Sequence, residues 1–292
     1  MAALSSVAGP STQSNSRRHL LRSLFKHGVL MAVAAIFFVP FYWLVITSFK
    51  PLNEMFEIPA RFIPRTFTVE NYIKSFSDSA FPVPLLTRNT LFYVVTTTIG
   101  QVLSSSLAAY AFARMKFWGR DALFGITLAT LMLPAIITLI PTYILFNNLG
   151  WVGSWLPLIV PNFLGGAFNI FLLRQFMLTI PVDLTDAARV DGAGEFTIFA
   201  RVILPLVKPA LMVIAVFHVV YAWNDFLGPL IYLSDSTQYP LVLGLYAFRT
   251  RLGLRYDQLL PAAVVVTLPL IILFFIAQRY FIEGISLTGI KG

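Results

Sequence analysis

The chain has 292 residues, of which 58% are hydrophobic and 12% charged, whereas ordinary globular proteins are about 25% charged. That leaves too few ionic groups to cover a water-facing surface of this size, which excludes an ordinary soluble domain pair. The excess of 21 basic over 13 acidic residues would suit a nucleic-acid binder only if the protein were soluble; membrane proteins carry the same excess in their cytoplasmic loops. The absence of cysteine removes disulfide scaffolds, thiolate metal sites, iron–sulfur clusters and cysteine nucleophiles together.

Residues 1–27 read as a cytoplasmic N-terminal tail, polar and expected to be disordered over 1–16. Ser16-Arg17-Arg18-His19-Leu20-Leu21 is similar to a twin-arginine export signal. The apolar run behind it is 22 residues long, where a signal core has about 7–15, and no small-residue cleavage site follows, so it reads as a retained span.

A spanning helix needs about 20 mostly apolar residues, so stretches lacking Asp, Glu, Lys and Arg mark the spans. Residues 28–49, 89–113 and 258–278 each fit one helix. The gap over 122–173 is too long for one and divides at Asn147-Asn148-Leu149-Gly150 into 123–146 and 154–176. Pro134, Pro141, Pro157 and Pro161 are expected to kink these two helices, and Tyr143 and Trp151 read as interface anchors. Asn162 and Asn169, beside Gly165 and Gly166, fall on one helical face; hydrogen bonding between closely approaching helices and a cavity wall explain them equally.

The next stretch, 177–208, predicts two short helices. Pro181 suits a first helical position, Asp183 a positive helix end, and Gly192 the positive φ that closes the first helix. Phe196, Ile198, Phe199, Val202 and Ile203 give the second an apolar side, and Pro205 ends it. A fifth span follows near 209–231, interrupted only by Asp225. An Asp near the bilayer centre costs about 2.5–3.5 kcal/mol on insertion scales. Asp225 lies 16 residues beyond position 209, about 24 Å along a helix and so near the outer end. In one reading His218, Tyr221, Asn224 and Asp225 line a water-filled path, with Asn162 on the fourth span as a further wall residue. In the other, Asn224 and Asp225 bind backbone groups freed where Gly228 and Pro229 disturb the helix, and His218 packs against a neighbouring span.

The reading is therefore an all-α integral membrane protein with six transmembrane helices over 28–283, a loop at 177–208 between the fourth and fifth, and a C-terminal tail at 284–292. Six spans put both termini on one side. With the termini inside, 13 of the 21 basic residues are cytoplasmic, which favours that orientation in a prokaryotic plasma membrane.

The run DAARVDGAGEFTIFARVILPLVKP at 186–209 resembles the cytoplasmic coupling loop of the membrane subunits of binding-protein-dependent ABC importers, whose pattern is EAA, then a glycine, then Leu-Pro. The matching positions are Asp186, Ala187, Ala188, Gly192, Leu204 and Pro205, with Asp191 and Ala193 flanking the glycine. The resemblance extends to SLAAYAFARMKFWGRD at 106–121, MLPAIITLIPTYILFNNLGW at 132–151, AWNDFLGPLIYL at 222–233 and GISLTGIKG at 284–292. It points to the shorter permease of maltose-type carbohydrate importers and implies a type I ABC importer fold.

It also implies partners. These are a second homologous permease, two copies of a cytoplasmic ABC ATPase into which the first loop helix docks, and an extracytoplasmic sugar-binding protein. The surroundings are a lipid bilayer, with no nucleic acid. ATP and Mg belong to the ATPase, and no cofactor or metal is expected on this chain, which has no G-x-x-x-x-G-K-[ST] phosphate loop. Asp186 stands where the family has Glu, which keeps the charge and shortens its reach.

Two other classes fit less well. An ion-coupled secondary transporter needs several intramembrane ionisable groups, and the spans offer Asp225 and His218. An intramembrane serine hydrolase needs a G-x-S nucleophile, which no span contains.

Overall fold

A computed structural model describes the backbone of residues 13–250 and 253–288, with side chains over 22–249 and 253–278. The described chain divides into two compact units, one up to Asn71 and one from Tyr72 onward.

In the first unit, α1 (Gln13–Ser48) starts well before the charge-free gap. No Gly or Pro interrupts residues 13–27, so that part of the expected tail is helical; residues 1–12 lie outside the described residues. After α1 the chain folds over Lys50, the charge that ends the first charge-free stretch. Its side chain is 1% exposed, donates from Nζ to the Arg61 carbonyl at 2.7 Å and lies 4.2 Å from the Trp43 ring centre. Asn71 Nδ2 donates to the Ser48 and Lys50 carbonyls. These bonds close a small loop that contains the short helix α2 (Leu52–Met55). The helix α3 (Glu70–Ser77) begins at the boundary of the units.

In the second unit, α4 (Val83–Arg114) is a continuous 32-residue helix whose only proline, Pro84, lies in its first turn, where no hydrogen bond is lost. The third expected span is α5 (Arg120–Ala129), a 3₁₀ turn over Thr130–Met132 and α6 (Ala135–Asn148). The two halves are bent by 103°. Pro134, at the N-cap of α6, has extended ψ and no N–H, so the chain breaks there where a mere kink was expected. The fourth span is likewise composite: α7 (Leu156–Ile159), a 3₁₀ stretch over Val160–Leu164, and α8 (Ala167–Thr179). Gly165, at φ 83°, separates them. Asn162 and Asn169 therefore do not share a helical face, and the seven-residue argument fails at that break.

The loop helices are α9 (Val182–Val190) and a second run made of α10 (Glu195–Thr197), a π-helical stretch over Ile198–Ile203 and α11 (Leu204–Leu206). Pro205 does not end this run. It lies inside α11, where its missing N–H follows the wider π turn, and the chain bends by 79° after Leu206. α12 (Lys208–Trp223) and α13 (Leu227–Tyr232) form the fifth span, separated at Asn224–Phe226. α14 (Leu241–Gly244) and the two-residue strands β1 (Arg249–Thr250) and β2 (Gly253–Leu254) precede α15 (Tyr256–Thr288). Residues 284–288 of the expected tail continue α15, and 289–292 lie outside the described residues.

Four helical segments are long and apolar enough to cross a membrane, and six when each bent pair is one span. The protein is thus an all-α membrane protein whose candidate spans follow the charge-free gaps except at the fifth, where the bent pair runs from the loop helix Glu195–Leu206 into α12.

α4 packs against α8 and α12, and α12 against α15. Gly166, at the start of α8, permits the first of these approaches, and Gly100 permits that of α4 to the 3₁₀ stretch Val160–Leu164. A Cβ on Gly100 would lie 2.6 Å from the Phe163 ring, and one on Gly166 would overlap the Gln101 amide. Two apolar clusters result, one containing Phe81, Tyr93, Trp223 and Phe248, the other Tyr110, Leu173, Met177 and Ile203.

Candidate functional site

Chemistry-bearing residues gather in two places: the loop between α8 and α12, and a cleft bordered by α4, α6, α7 and the α12–α13 break. Among the described residues no group of three His, Asp or Glu could hold a metal ion.

In the loop, Pro181 caps α9 and Gly192, at φ 82°, closes it. The Asp191, Gly192 and Ala193 N–H groups donate to the Ala187, Arg189 and Ala188 carbonyls at 2.9–3.0 Å, which satisfies the helix end. Thr185 is buried and Ala188 and Ala193 are half-buried against the Tyr110 cluster. Asp186, Ala187, Asp191, Gly192 and Pro205 are exposed, and Leu204 is half-buried. Val182, Leu184 and Val190 are exposed apolar neighbours. Phe196 was expected on the inner side of the second helix, yet it is 74% exposed. It lies in the first turn, beyond the cluster that takes Ile198, Phe199 and Ile203.

A chain of polar contacts ties the loop to α4. Asp186 accepts from Arg189 at 2.8 Å, Arg189 donates to Glu195 Oε1 at 3.0 Å, and the Tyr110 hydroxyl donates to Glu195 Oε2 at 2.6 Å. Arg114, in the last turn of α4, donates to the Met177 and Ile180 carbonyls at the end of α8. Sequence reasoning passed over Tyr110 and Arg189. A buried tyrosine needs a partner for its hydroxyl, and that need was the available signal.

The cleft has a volume of about 610 Å³. Its floor is the break after α12, where Asp225 Oδ1 accepts from the Gly228 N–H at 3.0 Å and Oδ2 from the Tyr93 hydroxyl at 2.7 Å. Asn162, Tyr221 and Asp225 all line it. Asn224 does not; its side chain donates to the Val220 carbonyl at 2.8 Å on its own helix. His218 is outside the lining, buried beside Tyr221 with 5.9 Å between ring centres, and Nε2 has no hydrogen-bond partner among the described residues. Asp225 thus accepts from a freed backbone N–H and also faces the cleft. Tyr143 stacks on Tyr232, and Trp151, half-buried, stacks on Phe146 against the first apolar cluster.

Comparison with known proteins agrees with this architecture. Residues 101–286 match the family of binding-protein-dependent transport system inner membrane components. The chain is 34% identical to the arabinooligosaccharides transport system permease protein AraQ of Halalkalibacterium halodurans, over 89% of this chain and 93% of that one. It is 32% identical to the AraQ permease of Bacillus subtilis, over 90% and 93%. Its fold matches a crystal structure of a bacterial ABC transporter involved in the import of the acidic polysaccharide alginate, with a TM-score of 0.79 and 22% identity over 94% of this chain and all of that one. The chain belongs to the binding-protein-dependent transport system inner membrane components, the membrane-spanning translocation subunits of ABC importers.

Proposed function

We propose that this chain forms part of the transmembrane path for a carbohydrate and that the 177–208 loop receives the closing motion of a partner ATPase. The observation that carries the reading is the loop itself. α9 is fixed at both ends, by Pro181 and by Gly192, while Ala187, Val190 and Gly192 remain exposed beside Asp186 and Asp191. A short helix held this way moves as a body, so pressure on its exposed side becomes displacement of the spans it joins. ATP and Mg are then held by the ATPase, of which two copies serve a pair of homologous permeases. A binding protein delivers the sugar on the outer side, and both termini face the cytoplasm.

The carbohydrate assignment rests on relatives named for arabinooligosaccharide transport and on a cleft that pairs Thr138, Thr142, Asn162 and Asp225 with the Tyr221 and Tyr232 rings. Asn162, Tyr221 and Asp225 are the path residues; Asn224 is given up on its local hydrogen bond. In proteoliposomes holding the whole assembly, replacing Asp186-Ala187-Ala188 or introducing Gly192→Asp is expected to abolish ATP-dependent sugar uptake while membrane insertion stays normal. Wild-type uptake by the replaced loop overturns the assignment.

A further inference from the structure

The polar chemistry of the cleft is one-sided. Thr138 donates its hydroxyl hydrogen to the Ala135 carbonyl at 2.9 Å, Thr142 to the Thr138 carbonyl at 2.6 Å, and Tyr93 to Asp225 at 2.7 Å. Asn162 uses one of its two N–H bonds on the Leu158 carbonyl at 2.8 Å. What these groups still present to an occupant is mainly oxygen lone pairs. The side-chain donors left are the Tyr221 and Tyr232 hydroxyls and one Asn162 N–H. Among the described residues lining the cleft, Asp225 is the only Asp, Glu, Lys, Arg or His. Its carboxylate is held in place by Tyr93 and Gly228, so it cannot swing away from an incoming negative group.

We infer that this cleft selects uncharged, hydroxyl-rich saccharides and rejects uronates and sugar phosphates. A neutral sugar offers a hydroxyl donor on nearly every ring carbon and fits a wall of acceptors. A carboxylate or phosphate can only accept at neutral pH, meets Asp225 as a like charge, and finds no cation in the lining to offset it. Asp225 is then the specificity-determining residue and Tyr93 its positioning residue. The inference rests on the reading of the cleft as part of the path. It also separates this chain from the fold relative that serves alginate import, whose cargo is described as acidic.

The test exploits the chain's lack of cysteine. Ala135→Cys, on the cleft wall, supplies its single thiol, with Leu139→Cys as a second reporter; the assembly without the substitution gives the background from the other subunits. The intact assembly is placed in nanodiscs without its binding protein, so that the binding protein's own selectivity does not enter. Maleimide labelling is then followed against maltotriose, xylotriose, arabinotriose and trigalacturonate.

The expected result is protection by at least one neutral trisaccharide at a concentration tenfold or more below that needed for trigalacturonate. Asp225→Asn is expected to narrow the gap to less than threefold. Equal protection by trigalacturonate with Asp225 intact overturns the inference while leaving the path reading standing, and that comparison does not depend on the variant folding. A gap that survives Asp225→Asn removes the role given to Asp225. No protection by any of the four at either reporter overturns the path reading and the inference with it.

Discussion

Tyr110→Phe isolates one bond in the link between the coupling loop and the spans. The ring is 4% exposed and packs 5.2 Å from Phe199, so phenylalanine keeps the packing and removes only the hydroxyl that donates to Glu195. A hydrogen bond to a charged group contributes about 1.5–3 kcal/mol. The Glu195 side chain is 42% exposed, so water replaces part of what is lost, and the net cost falls to about 1–1.5 kcal/mol. Since 1.4 kcal/mol is a factor of about ten, the docked arrangement of the loop should lose roughly five- to tenfold in population relative to undocked forms. Glu195→Gln also weakens the contact to Arg189, which keeps Asp186 as its partner.

The assay is sugar moved per ATP hydrolysed in proteoliposomes, measured for both single variants and the double. The ratio should fall while ATPase activity persists. The double variant should be no worse than Glu195→Gln alone, because the same contact cannot be lost twice. A coupling energy below about 0.3 kcal/mol between the two positions, the ordinary scatter for independent sites, would refute the link.

Gly192→Ala should destabilise the closure of α9 by about 1–2 kcal/mol through its positive φ alone, because a Cβ there meets nothing within 4 Å; faster proteolysis of the loop without loss of membrane insertion is the readout. Gly100→Ala should cost about 1–3 kcal/mol by overpacking against the Phe163 ring, seen as a lowered Tm of the assembly, and an unchanged Tm would mean that the ring moves aside freely. The Ala80 N–H first, and Arg255 after it, hold the Asp78 carboxyl below its usual range. A carboxyl with a lowered folded-state value contributes its full stabilisation above the ordinary Asp value of about 3.9 and loses it as pH falls through the folded value. The Tm difference between wild type and Asp78→Asn should therefore be flat from pH 8 to pH 6 and shrink only in acid; a slope within the neutral window would contradict the assignment.

Charge placement and hydropathy made the spans legible because both are local: Lys26, Lys50, Arg88 and Arg114 bracket apolar runs that any membrane helix requires. The end of α9 was legible for the same reason, since Gly192 closes a helix from within a few residues of chain. Interruptions inside spans were not. Pro134 and Gly165 were visible, but whether a proline kinks a helix or breaks it by 103° depends on what packs against both halves. The pairing of Tyr93 with Asp225 joins residues 132 positions apart and leaves no trace in spacing. Asn162 was singled out for a helical face it does not share with Asn169, and it lines the cleft because the 3₁₀ stretch turns it there.

The two sites share one structural member. Tyr93, which holds Asp225 in the cleft, and Tyr110, which holds Glu195 at the loop, lie 17 residues apart on α4, about 25 Å along a continuous helix. No proline or glycine separates them except Gly100, against which the Phe163 ring packs. α4 therefore tilts or shifts as a rod, and Arg114 fixes its far end to α8 through two backbone carbonyls. The composite spans differ: α6, α7 and α13 each meet a helix break beside the cleft. Under the proposed function, a stiff helix gripped at both sites and surrounded by segmented ones suits alternating access, with the rod carrying displacement from the loop and the breaks letting the cleft change shape.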